Sequence, residues 1–176
     1  EQLTVNQESS STAMPLFTLV DGESFWHTGG VINRRNRNGI LTRTAPLSAS
    51  IDSKIAYSQQ HIYFKSYHGD RSFSVYYLPI DFWSGIKARE LNHFTNVELV
   101  SWHSHPLGLI ILIRSDEGDE LRLIHSEMPQ GERLMQAHMI TGVSVQNGGD
   151  ILVSGQDDQN RWSVSSLRYE HSRFSI

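Results

Sequence analysis

The sequence predicts an all-β fold of propeller-type, repeated antiparallel sheets. A strand–turn–strand phrase recurs along the chain, at residues 64–70, 113–119 and, more weakly, 153–158. Each copy leads into a second alternating apolar run, at residues 73–78, 121–124 and 162–167. Ser66 and Ser115 lie 49 residues apart, and Ser115 and Ser154 lie 39 residues apart. These spacings bracket the period of about 40–50 residues that is typical of propeller blades.

The repeats also fit a single β-barrel or β-sandwich in which they are only hairpins. Closed propellers usually have about 4–8 blades of about four strands each. Three and a half copies in 176 residues predict either the smallest closed propeller or a partial one. Because uncovered sheet edges promote aggregation, we expect a protein partner or self-association through open β edges.

Composition excludes several classes of function. Hydrophobic residues make up 38% and charged residues 19% of the chain, which is enough for a packed core. The net charge of −4 gives no basic surface for a nucleic-acid backbone, and Arg34–Asn38 is predicted to be an exposed turn. The absence of cysteine excludes disulfides, a thiol nucleophile and cysteine-ligated zinc. No apolar stretch approaches the about 20 residues of a membrane helix, so membrane attachment would need a segment absent from this chain.

The chain is predicted to contain one flexible segment and one domain. Residues 1–14 are rich in Ser, Thr, Gln and Asn, which is typical of a flexible terminus. Residues 15–176 are predicted to form a single all-β domain. Its repeat copies lie near residues 16–48, 50–94, 97–138 and 140–172.

Strands and turns alternate through each copy. The first copy begins with the apolar run 16–20 and the Asp21-Gly22 turn signal. The remaining strands are predicted near residues 55–57, 61–65, 72–78, 99–102, 109–114, 120–125, 142–145, 151–154 and 161–168. Residues 103–108 are predicted to form a turn with solvated histidines. Residues 130–139 are the one stretch that fits a short helix of one or two turns, although Gly131 weakens it.

The third copy carries a resemblance to a known family. It consists of Ser101-Trp102-His103-Ser104-His105-Pro106-Leu107-Gly108, an apolar strand, and the turn Ser115-Asp116-Glu117-Gly118-Asp119. This arrangement resembles the WD-like β-propeller repeats of TolB, which also occur in the periplasmic parts of CadC-type and ToxR-like membrane regulators. The resemblance covers about residues 50–170, and the turns of copies two and four lack the family's Pro-Asp pair.

The resemblance implies a non-enzymatic sensing or protein-interaction domain. The chain would then be the ligand-responsive part of a membrane-anchored bacterial regulator, on the periplasmic or extracellular side of the membrane. A small-molecule ligand is an expected partner. The resemblance carries over no catalytic residue and implies no cofactor.

A His-x-His pattern provides an alternative function. His103 and His105 follow an apolar strand, and with Asp116 they would form a three-ligand zinc site with an open position for water. The pattern resembles the JAMM metalloprotease signature, His-x-His-Pro followed by Ser-x-x-Asp. Here nine residues separate His105 from Ser115, and Gly118 stands at the position of the Asp. This alternative is a metal-dependent hydrolase, with zinc as its cofactor.

Aromatic residues suggest a third function, a carbohydrate-binding module. Trp83 follows Asp-Phe and precedes Ser-Gly, so it is predicted to be exposed. Trp102 and Tyr57 occupy equivalent places in two copies and are predicted to pack between blades. The candidate ligand-binding residues are Trp83, Trp102, His103 and His105.

The nine histidines are spread across the copies. Their charge changes near neutral pH, so a cluster of them would sense acidity; the competing interpretation is that they are ordinary surface residues. No Gly-x-Ser-x-Gly elbow and no phosphate-binding glycine loop occurs in the sequence.

Overall fold

The computed structural model describes residues 17–18, 22–47, 51, 55–170 and 173–175. These residues form sixteen β-strands and no helix, so the all-β prediction is confirmed. The predicted flexible segment 1–14 lies outside the described residues. In the part of the chain that the structure describes, no helix is long and apolar enough to cross a membrane.

The strands form four separate four-stranded sheets, and within each sheet hydrogen-bonded neighbours are consecutive in sequence. Sheet 1 contains β1 (Phe17–Thr18), β2 (Ser24–Thr28), β3 (Val31–Arg35) and β4 (Leu41–Arg43). Sheet 2 contains β5 (Ala56–Ser58), β6 (His61–Gly69), β7 (Ser72–Pro79) and β8 (Arg89–Thr95). Sheet 3 contains β9 (Glu98–His105), β10 (Gly108–Ser115), β11 (Gly118–His125) and β12 (Met128–Ala137). Sheet 4 contains β13 (Met139–Val145), β14 (Ile151–Gln156), β15 (Trp162–Glu170) and β16 (Arg173–Ser175).

All the strand pairs are antiparallel, so each sheet is a meander. None of the four sheets closes into a barrel, so the barrel alternative is wrong. Four sheets also exceed the two layers that define a sandwich.

Three apolar cores join the sheets face to face in series. The core between sheets 1 and 2 includes Phe25, Ile32 and Phe64. The core between sheets 2 and 3 includes Phe73 and Trp102. The core between sheets 3 and 4 is formed by Ile110, Leu112, Leu121, Leu123, Ile140, Ile151, Val153 and Leu167. Each fully buried aliphatic or aromatic side chain contributes about 1.5–3 kcal/mol to stability.

In strand β10, the pattern of apolar residues reflects the packing of a sheet on each face. Its apolar run 109–113 is buried throughout. Residues 109, 111 and 113 pack toward sheet 2, whereas 110 and 112 pack toward sheet 4. Side chains alternate between the two faces of a strand, so an unbroken apolar run indicates a strand with a sheet on each side.

A buried carboxylate fixes the junction between sheets 3 and 4. Asp119 accepts 2.8 Å hydrogen bonds from both Nε and Nη2 of Arg114, and a third from the backbone N–H of Ile140. Burial alone would raise the pKa of Asp119, but these hydrogen bonds and the Arg114 charge hold it below its usual value. The carboxylate therefore links the β10–β11 hairpin to the start of β13.

Two local predictions are wrong. The stretch 130–139 is not helical, because residues 128–137 form strand β12, in which Gly131 has a φ of 75°. The predicted turn 103–108 is shorter, since β9 extends through His105 and β10 begins at Gly108. His105 is not solvated but 2% exposed.

Candidate functional site

The first strands of three sheets form a groove. Strand β9 lies between β5 and β13. A cavity of about 380 Å³ runs between them, lined by Ile55, Ala56, Trp102, His103, Ser104, Val143, Ser144 and Val145. A second cavity of about 340 Å³ adjoins it at the turns after these strands and shares Ser104 and Val145. We call these two cavities together the inner groove.

The inner groove brings together three of the four predicted ligand-binding residues. Trp102, His103 and His105 lie on β9, on either side of Ser104. His103 is half-buried, and its Nε2 lies 3.2 Å from the Ser101 hydroxyl. Trp102 is 2% exposed in the core between sheets 2 and 3, so its predicted packing role is confirmed.

Hydrogen bonds across the groove hold sheet 2 against sheet 3. The backbone N–H of Tyr57 donates to Ser104 Oγ at 3.2 Å. The Ser58 hydroxyl donates to the backbone carbonyl of His105. Because these polar groups are paired across sheets, the groove wall is built from fixed positions on two strands.

The ring of His105 is held at both nitrogens. Its Nε2 lies 2.8 Å from the carbonyl oxygen of Gly149, which can only accept, and its Nδ1 accepts from the N–H of Leu107 at 3.1 Å. The ring is therefore neutral, with its proton on Nε2. Burial lowers the pKa of His105, and the hydrogen bond to Gly149 opposes this shift without cancelling it.

The predicted zinc ligands are not brought together. Asp116 follows the far end of β10, whereas His105 pairs with Gly108 at its near end. Seven strand positions separate these ends by about 23 Å. Asp116 instead pairs with Arg71 at 2.9 Å. Within the described ranges, no group of three His, Cys, Asp or Glu residues is placed to hold a metal ion.

Trp83 lies apart from the inner groove. It is 68% exposed, as predicted, and lines a separate cavity of about 170 Å³ between the end of β7 and the start of β8. We call this the Trp83 cavity. The structure thus divides the four predicted ligand-binding residues between two places.

No protein-family model matches the chain, and no curated protein matches it.

Sheet 4 presents an apolar face that sequence reasoning missed. Ile151, Val153 and Leu167 face sheet 3, so the alternate positions point away from it. Cross-strand pairing places them in three rows: Ser144–Leu152–Ser166, Gly142–Ser154–Val164 and Gln156–Trp162. Leu152, Trp162 and Val164 are 40%, 64% and 74% exposed. We call these rows the sheet 4 face.

A signal for this face was present in the sequence. The run Ile151-Leu152-Val153 puts apolar side chains on both faces of one strand. Ordinary surface strands alternate apolar with polar residues. The run therefore pointed to an apolar surface on the side of β14 that faces away from sheet 3.

Two of the nine histidines form a cluster on sheet 2. Ser74 Oγ donates to Glu90 Oε1 at 2.8 Å. It also lies 2.9 Å from His68 Nε2 and 2.8 Å from His93 Nδ1. Since the single hydroxyl proton goes to the carboxylate, both rings approach the oxygen as donors. Neither histidine then acts as a general base toward Ser74, so this Ser–His–Glu group is not arranged for nucleophilic catalysis.

Proposed function

We propose that this chain is a non-enzymatic protein-interaction domain whose four sheets are blades of an incomplete propeller. The observation that carries the proposal is the sheet 4 face. Three faces in the series of sheets are covered by the next sheet, while Leu152, Trp162 and Val164 remain exposed. Contiguous exposed apolar side chains mark interaction sites on soluble proteins.

The occupant of this face is a second copy of the chain. The face continues the stacking direction of the three internal interfaces, so another sheet is the shape that fits it. Its chemistry also suits self-association, because its rows contain only Ser, Gly, Gln and apolar side chains. No residue in the three rows carries a charge, and the charged residues Arg168 and Glu170 lie on β15 beyond the row that contains Ser166.

The second copy would use the same face. An isologous contact pairs one patch with itself and closes at two subunits. Most of the other exposed large apolar side chains are scattered, at Tyr67, Trp83 and Val100, and the pair Ile40–Leu41 lies at the edge of sheet 1. The surface of a second copy that best complements the sheet 4 face is therefore its own sheet 4 face.

The test is the solution mass of the protein as a function of concentration. We expect light scattering to give twice the 20.0 kDa chain mass. The Trp162→Ser/Val164→Thr variant should weaken association by about 30-fold or more, because a buried Trp anchor typically contributes at least about 2 kcal/mol to an interface.

Trp83→Ser is the matched control, since Trp83 is the same residue type at nearly the same exposure on a different surface. It should leave the mass unchanged. A wild-type monomer at the highest soluble concentration would contradict the proposal, as would a dimer that survives the double substitution.

The resemblance to periplasmic regulator domains supports a sensing role for the same domain on the extracytoplasmic side of a bacterial membrane. The inner groove supplies polar groups from different sheets, including Ser104 of sheet 3 and Asn147 in the turn after β13 of sheet 4. A small ligand bound there would bridge sheets 3 and 4, and so would couple ligand binding to the face used for association.

A further inference from the structure

The Trp83 cavity is built around an aromatic side chain that the fold keeps exposed. Phe82, its neighbour, is 1% exposed in the core between sheets 1 and 2, with its ring centroid 6.3 Å from that of Phe25. Because Phe82 is anchored inside, Trp83 points outward. A Trp side chain buries about 150–250 Å² when it packs, so leaving one exposed on an anchored loop forgoes a large stabilisation.

The loop that carries Trp83 is fixed to the neighbouring sheet. Gly85 N–H donates to Arg43 O at 2.8 Å, and Ala45 N–H donates to Ile86 O at 2.8 Å. Within the loop, Ile86 N–H donates to Trp83 O at 3.3 Å. These bonds hold the backbone of the Trp83 loop in place before any ligand arrives, which reduces the entropy lost on binding.

The remaining walls are aromatic and cationic. Tyr77, His61 and Pro79 line the cavity together with Lys87 and Arg89. The rings of His61 and Tyr77 meet edge to face at 5.5 Å. Tyr77 and Arg89 are cross-strand partners, so Arg89 extends beside the aromatic wall.

Neither cation has an acidic partner among the residues that the structure describes. Across the described chain, neither Lys87 nor Arg89 takes part in an ion pair, and no carboxylate lines the cavity. The nearby Glu90 accepts from Ser74 instead. The whole chain has a net charge of −4, whereas Lys87 and Arg89 place two positive charges beside the exposed indole with no carboxylate among the described residues that line the cavity.

We propose that the Trp83 cavity binds an acidic saccharide. The apolar face of a sugar ring would stack on Trp83, and its carboxylate would pair with Arg89 and Lys87 through charge-assisted hydrogen bonds. The volume of about 170 Å³ accommodates a single sugar ring, and further residues of a chain would extend into solvent. This site is separate from the sheet 4 face and does not depend on self-association.

The test is calorimetric titration of the full chain with a trisaccharide of galacturonic acid. The trisaccharide of galactose, which has the same ring without the carboxylate, is the neutral control. We expect the acidic sugar to bind at least about tenfold more tightly than the neutral one, and added salt to weaken it.

Substitutions then locate the site. Trp83→Ala should weaken binding about tenfold or more, and Arg89→Met, which keeps an apolar stem and removes the charge, should weaken it by a similar factor. Trp162→Ser is the matched control and should bind as the wild type does. Since Trp83 and Arg89 are exposed, the variants should keep the wild-type melting temperature.

Four outcomes would overturn the proposal: no binding of the acidic trisaccharide, equal binding of the neutral one, unchanged binding in either Trp83→Ala or Arg89→Met, or tighter binding of a nucleoside monophosphate than of the sugar. A failure here leaves the association test unaffected, because that test depends on Trp162 and Val164.

Discussion

His105 donates from Nε2 to the carbonyl oxygen of Gly149 across 2.8 Å, and this bond joins sheet 3 to the β13–β14 turn of sheet 4. The rings of His105 and Tyr169 also pack in a T-shaped arrangement, with their centroids 5.2 Å apart. Through its backbone carbonyl the same residue accepts the Ser58 hydroxyl from sheet 2. One residue on β9 therefore connects three of the four sheets.

Because His105 is buried, the free energy of unfolding should depend on pH. Burial lowers the pKa of His105 in the folded chain below its usual value of 6.5. The unfolded chain therefore binds the proton first as the pH falls. The His105 contribution to stability is complete above about pH 6.5, and it is lost as the pH falls from there through the folded pKa.

Urea unfolding of wild type and His105→Gln between pH 8 and pH 5 measures this contribution. The free energy of unfolding of the wild type should fall more steeply than that of the variant, by up to about 1.4 kcal/mol per pH unit for one proton. Gln retains a donor for Gly149 but does not titrate. Parallel curves for the two proteins would show that His105 is not the titrating group.

Gly149 should tolerate no side chain. It has a φ of +95°, and an added Cβ would lie 2.7 Å from Tyr169 Cδ1 and 3.1 Å from His105 Nε2. We expect Gly149→Ala to lower the free energy of unfolding by about 1–3 kcal/mol. The adjacent Gly148 has open space at the same point, so Gly148→Ala should change it by less than about 0.5 kcal/mol. Similar melting temperatures for the two variants would contradict this account.

Strand positions were predictable because they depend on local pattern. The run 109–113 predicted a strand, and β10 contains it. Residues 130–139 were harder because β12 lies mostly half-buried or exposed, so it lacks a strong apolar alternation. Tertiary pairing with β11, rather than local preference, makes this segment a strand.

The candidate sites were predictable only where the signal was local. Trp83 stands between a buried Phe and a Ser-Gly turn, and its exposure followed from that context. The role of His105 depends on Gly149, which lies 44 residues away, so no neighbouring residue indicates it. The exposure of the sheet 4 face was also not predictable from the local sequence. Its apolar run resembles that of β10, and only the packing of the sheets distinguishes a covered face from an open one.

Asp119 should be required for stability, whereas Asp116 in the same turn should not. Asp119 is 1% exposed, while its partner Arg114 is 42% exposed, so solvent screens part of the pair. We expect Asp119→Asn to destabilise the fold by about 1–3 kcal/mol at neutral pH, because the Arg114 and Ile140 donors lose their carboxylate. Asp116→Asn removes only an exposed ion pair with Arg71 and should have no measurable effect.

The pH dependence of Asp119→Asn gives a second check. Since the pKa of Asp119 is lowered in the fold, its contribution is complete above its unfolded value of 3.8 and is lost as the pH falls through the folded pKa. Wild type and Asp119→Asn should therefore converge in stability under acid. A constant gap between wild type and Asp119→Asn down to acid pH would argue against the buried charge.

Two buried serines should respond oppositely to the same substitution. Ser58 and Ser66 are 4% and 1% exposed. The Ser58 hydroxyl donates to the His105 carbonyl, whereas Ser66 Oγ has no hydrogen-bond partner among the described residues. Ser58→Ala leaves the carbonyl without this donor and should cost about 1–2 kcal/mol. Ser66→Ala removes an unsatisfied buried hydroxyl, so it should leave stability unchanged or raise it by up to about 1 kcal/mol. Chemical denaturation of the two variants measures the free energy of unfolding. An equal loss in Ser58→Ala and Ser66→Ala would mean that the Ser66 hydroxyl has a hydrogen-bond partner in solution.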